Sequence, residues 1–65
     1  MDAQFAQVAL DAITQELQRD ERNAHLWFEQ GRLLTALGRQ QEALEALKKA
    51  MELDPTLQQS INYKK

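Results

Sequence analysis

The places where helix formation is interrupted constrain this chain more than any other feature. Its 65 residues include two glycines and one proline, against nine alanines, ten leucines and nine glutamines. Ala, Leu and Gln lose little freedom in a helix, whereas Gly and Pro cost about 1 and about 3 kcal/mol in a helix interior. The β-branched residues are Val8, Ile13, Thr14, Thr35, Thr56 and Ile61, never more than two in succession. Interruptions fall at the polar run Arg19-Asp20-Glu21-Arg22, at Gly38 and at Asp54-Pro55. An all-α fold of three helices follows, joined by turns too short for anything but antiparallel neighbours.

The first helix is expected over residues 3–19, capped by Asp2, whose carboxylate can accept from free first-turn amides. Phe5, Val8, Ala9, Ala12, Ile13 and Leu17 recur at helical spacing and predict its buried stripe, with Ala6 and Leu10 as a second, outward strip. Asn23 reads as the cap of a second helix over 24–37, with Leu26, Trp27, Leu33, Leu34 and Leu37 apolar and Gly38 as its stop. The third helix is expected over 40–53. Ala43, Leu44, Leu47, Ala50 and Met51 form its stripe, with Ala46 and Leu53 on the margins. Glu45 precedes Lys49 by one turn, the favourable order for a surface ion pair. The residue before proline leaves the α region, so Asp54-Pro55 closes this helix. Thr56 then reads as the cap of a short fourth helix that turns Leu57, Ile61 and Tyr63 inward.

Charge and residue inventory exclude several functions. The net charge is −2 and the pI near 5.2, against the basic surface that general nucleic-acid binding requires. Lys64-Lys65 is too short for a phosphate patch, and the arginines are interspersed with acids. Without cysteine there is no disulfide, thiolate metal site or thiol nucleophile. Mean hydropathy is −0.63, and no apolar run approaches a membrane span. Met1-Asp2-Ala3-Gln4 lacks a basic stretch ahead of an apolar one, so no secretory signal and a cytoplasmic location are expected. His25 and Glu29, one turn apart, are the only histidine-based ligand pair; a stable site takes three or four ligands, so no metal is expected. Asp11, Glu16 and Asp20 are spread along a polar face with no companion group. Neither an enzyme nor a cofactor is expected.

Residues 24–57 resemble a tetratricopeptide repeat, a family that repeats a helix–turn–helix of about 34 residues. The matching positions are Trp27, Gly31, Leu34, Gly38, Ala43, Leu47, Ala50 and Pro55, with Leu34 and Leu47 in place of aromatic residues and Gln30 in place of an apolar one. Independently of the resemblance, Gly31 and Ala43 supply the small residues that let two helices cross closely, and Trp27 reads as a packing anchor. The first helix resembles the second helix of a degenerate preceding repeat, with Glu21 where proline is usual. The chain therefore reads as one domain over 1–65: a flanking helix over 3–20, a complete repeat over 24–57, and over 58–65 the start of a next or capping helix. That ending is expected to be an interrupted repeat.

The resemblance implies protein–protein interaction. In the family the first helix of each repeat lines a groove for a partner's peptide or helix. The positions that correspond here are His25, Phe28, Glu29, Arg32, Thr35 and Ala36. Phe28, beside Trp27, either packs on the preceding helix or faces the groove. The alternative is a structural, self-associating module. Below roughly 70–80 residues one core supplies only about 3–5 kcal/mol. Leu47, Ala50, Met51 and Leu57 are expected to face a helix that should follow, so a homodimer through the C-terminal helix is the second expectation.

Overall fold

The computed structural model describes residues 3–57, and Asp2, Ile61 and Tyr63 lie outside them. The elements are α1 (Ala3–Arg19), α2 (Ala24–Ala36) and α3 (Gln40–Leu53), with no strand among the described residues. The central helix, α2, packs on both neighbours, while the backbones of α1 and α3 stay apart. The result is an antiparallel hairpin, α2–α3, with α1 laid against the outside of α2.

Local chemistry sets each boundary. Asn23 has extended backbone (φ −85°, ψ 101°), and its Oδ1 accepts from the amides of His25 at 3.0 Å and Leu26 at 3.4 Å. That satisfies two donors that a helix start leaves without partners. The turn before it is tied down by the Trp27 indole, which donates to the Glu21 carbonyl at 2.7 Å. Gly38 closes α2 at φ +80°. Its amide donates to Thr35 O at 3.0 Å, and the Arg39 amide donates to Leu34 O at 2.9 Å. These are the two bonds of a Schellman ending, in which glycine carries the left-handed residue. Arg39 precedes α3 without a side-chain cap; its guanidinium instead grips Glu42 in the first turn with Nη2 to Oε1 at 2.8 Å and Nε to Oε2 at 3.1 Å.

The buried apolar residues are Ala6, Leu10, Leu17, Leu34, Ala43, Ala46 and Ala50. Four of these seven are alanines, so the helices approach closely and the core is built from methyl groups around a few leucines. Leu10, Leu34, Ala43 and Ala46 form its centre, flanked by the partly buried Trp27, Leu33 and Leu37. Gly31 belongs to the same crossing. A Cβ there would lie 2.6 Å from Cγ and Cδ2 of Leu47 and 3.3 Å from the Ala43 carbonyl oxygen.

Several expectations are corrected. Helix α1 buries Leu17 as expected, but also Ala6 and Leu10 of the other strip, while Phe5 and Val8 are 67% and 63% exposed and Ala12 is also exposed. Ala9 and Ile13 lie between these extremes. The tight contact with α2 favours a strip that begins with alanine over one that begins with phenylalanine. On α3 the same preference puts Ala46 in the core and leaves Leu44 66% exposed. Ala50, expected to face a following helix, has no exposed surface. After α3, Asp54 rather than Thr56 acts as the cap. Its Oδ1 accepts from the Thr56 amide at 3.2 Å and from the Thr56 hydroxyl at 2.6 Å. Glu45 and Lys49 do not form the expected ion pair; the pairs among the described residues are Arg39–Glu42 and Arg32–Glu29.

Candidate functional site

The outer side of α2 carries two adjoining rows. Phe28, Arg32 and Thr35 follow one another at steps of four and three residues, and so share a face. His25, Glu29, Arg32 and Ala36 follow the same rule one strip further round. The close crossing at Gly31 brings the first row beside α3. Phe28, Arg32 and Thr35 border a hollow of about 370 Å³ whose far wall is Leu47 of α3. Thr35 and Leu47 also border an adjoining hollow of about 210 Å³ with Gln40, Ala43 and Leu44. The second row stands on the rim and beyond it, with His25 and Ala36 exposed at its two ends.

The chemistry of this face is apolar with one exposed cation. Phe28 is half-buried and presents part of its ring to the hollow. Arg32 keeps 65% of its side chain exposed and meets the Glu29 carboxylate only at 3.6 Å, a loose surface pair that a stronger anion can displace. The Thr35 hydroxyl donates to the Gly31 carbonyl at 2.9 Å, so only its lone pairs remain for a ligand. An apolar side chain could occupy the hollow beside a carboxylate on Arg32. No group of three or more His, Asp or Glu able to hold a metal ion occurs among the described residues, and His25 and Glu29 have no third ligand near them.

Of the positions singled out in the sequence, Phe28, Arg32 and Thr35 are brought together, Glu29 is held to Arg32, and His25 and Ala36 stand apart from the hollow. Leu47, which also borders the hollow, is not among those positions. Its signal was present, because it follows Ala43 by one turn and replaces an aromatic residue of the repeat pattern.

A helical hairpin crossed at Gly31 and Ala43, closed by glycine and proline, with a flanking helix stacked on its first member, defines a helical-repeat protein. The tetratricopeptide repeat family matches residues 24–57, and the chain belongs to that family. Neither a curated protein nor a solved structure matches it. Membership in this scaffold family makes the chain a protein–protein interaction module in general terms. No helix among the described residues is long and apolar enough to cross a membrane.

Proposed function

We propose that the chain is a cytoplasmic module that binds a peptide or helix of a partner protein through the outer face of α2, using His25, Phe28, Glu29, Arg32, Thr35 and Ala36. The observation that carries this reading is the hollow in which Phe28, Arg32 and Thr35 meet Leu47. It supplies an apolar floor for one anchoring side chain and a guanidinium at its edge. Such an anchor dominates small interfaces, because a few residues in a desolvated pocket carry most of the binding energy. The test is an NMR titration with the partner peptide. Amides of Phe28, Arg32 and Thr35 should shift most, and those of Glu45 and Lys49 little. Phe28→Ala should weaken the complex without changing the far-UV spectrum. Shifts confined to α3 would reject this face.

A second reading is self-association as a homodimer on the C-terminal side of the hairpin. It is favoured by Leu44, 66% exposed at the edge of the smaller hollow. Dimerisation there would cover Leu44 and Leu47 in both copies. Sedimentation across micromolar to millimolar concentrations, with Leu44→Gln as the control, distinguishes the two readings.

A further inference from the structure

A second groove lies on the side of α2 away from Phe28 and Leu47. The backbones of α1 and α3 each approach α2 but stay apart from one another, and between them lies a trough of about 490 Å³. Its floor is apolar: Leu10, Leu34 and Ala46 are core residues whose edges reach it, and Trp27 closes one end. Its walls are polar in a particular pattern. On the α1 side, the Gln30 amide donates to Thr14 Oγ1 at 3.3 Å, and the Thr14 hydroxyl donates to Leu10 O at 2.8 Å. The Gln30 amide oxygen has no partner in the chain. On the α3 side, Arg39 and Glu42 neutralise one another, but among the described residues Glu45 and Lys49, one and two turns further along, form no ion pair.

We propose that this trough is a second docking surface, and that its occupant is a short amphipathic helix of a partner protein. That helix carries an apolar row flanked by a basic and an acidic residue one turn apart, placed to meet Glu45 and Lys49. Three observations select this occupant. First, the walls are helices whose backbone groups are internally bonded, so the trough offers side chains and no open ladder. A segment whose own backbone bonds are internal fits it better than a strand that needs pairing. Second, the charged wall runs from Arg39 to Lys49, ten residues of helix, or about 15 Å. That accommodates about three turns of a partner helix. Third, Glu45 and Lys49 present opposite charges in a fixed order. Charge order therefore sets the direction in which a helix can lie, since like charges brought together are penalised. Gln30 contributes what an apolar residue there could not, an amide beside the apolar floor. The surface is independent of the Phe28 face, and either can be right without the other.

Trp27 is the only tryptophan and borders the trough, so its emission reports occupancy. The probe is a lactam-bridged helical peptide of about eleven residues, free of Trp, with a Leu/Ile row flanked by Lys and Glu to match Glu45 and Lys49. Its isomer with the two charges exchanged is the control. The matched probe should give a saturable emission change, and the isomer should bind about five- to tenfold more weakly. In the double variant Glu45→Lys/Lys49→Glu, whose sites are exposed and whose melting should be unchanged, the preference should reverse. Phe28→Ala should leave both titrations as they are. No saturable change up to millimolar probe, equal binding of the isomers, or an unreversed preference in the folded double variant would each overturn the proposal. So would equally tight binding of an unbridged, proline-containing peptide of the same composition, which would make the occupant an extended chain.

Discussion

Replacing Gly31 by alanine sets two effects of similar size against one another, and the structure identifies the atom that decides between them. Alanine in a helix interior gains about 1 kcal/mol over glycine. Against that, its Cβ would lie 2.6 Å from Cγ and Cδ2 of Leu47 and 3.3 Å from the Ala43 carbonyl oxygen. Carbon atoms pack best at about 3.5–4.0 Å, so the Leu47 side chain must retreat by roughly 1 Å. Overpacking of this kind costs about 1–3 kcal/mol. The net for Gly31→Ala is a loss of up to about 2 kcal/mol, a large share of the roughly 3–5 kcal/mol a core this small can supply. Gly31→Leu, which adds still more bulk, should leave the domain largely unfolded. The cleaner measurement is a double-mutant cycle with Leu47→Ala. Once Leu47 is cut back, Gly31→Ala should become neutral or stabilising, giving a coupling of about 1–3 kcal/mol. Urea titrations followed by circular dichroism, with trimethylamine N-oxide keeping the weakest variants folded, read each corner. If Gly31→Ala had the same effect with and without Leu47, the close approach would not be what glycine provides.

Three further substitutions test separate parts of the fold by the same unfolding assay. Gly38→Ala meets no atom within 4 Å, but requires a side chain at φ +80°; it should lose about 1 kcal/mol, and Gly38→Asn less, because asparagine tolerates that conformation. Asn23→Ala removes the acceptor for the His25 and Leu26 amides and should cost about 0.5–2 kcal/mol, largely restored by Asn23→Ser and less by Asn23→Asp, because the Asn23 amide donates to the Asp20 carboxylate at 3.0 Å. Leu10→Ala should cost about 2–5 kcal/mol because Leu10 is in the core, while Val8→Ala, on the 63% exposed side of α1, should change stability by less than about 0.5 kcal/mol. A larger loss at Val8 than at Leu10 would mean that α1 is rotated.

Helix boundaries were legible because they rest on chemistry local to a few residues. Asn23 as a cap, Gly38 as a stop and Pro55 as a terminator each act on backbone groups within one turn, so sequence spacing is enough to find them. The face that each helix buries depends on the distance to its neighbour, and spacing alone does not report that. Helix α1 carries two apolar strips about half a turn apart, and bulk favoured Phe5 and Val8. The close contact with α2 favoured Ala6 and Leu10 instead. Leu44 and Ala46 on α3 exchange roles for the same reason. In a hairpin crossed at a glycine, the small residues mark the core, and the larger ones fill its margins or remain in solvent. The candidate site was legible only as a shared helix face. Helical periodicity together with the family resemblance placed Phe28, Arg32 and Thr35 on one face. Leu47 comes from the other helix of the hairpin, and only the packing at Gly31 brings it there.

Leu47 therefore belongs to the crossing and to the hollow at once, and on the reading proposed above this ties binding to folding. A change that displaces its side chain from Gly31 therefore also alters a wall of the hollow where, on the reading proposed above, an anchoring residue sits. Conversely, a ligand that fills the hollow holds Leu47 against Gly31 and stabilises the hairpin. Ligand present at a hundred times its dissociation constant adds about 2.7 kcal/mol to stability, more than half of what a core of this size supplies. The bound and free proteins should then differ in melting temperature by several degrees or more. Gly31→Ala should weaken binding along with stability, although residue 31 is buried and never touches the ligand. A variant that lost stability at Gly31 but bound the same peptide with unchanged affinity would separate the two roles and place the anchor elsewhere on α2.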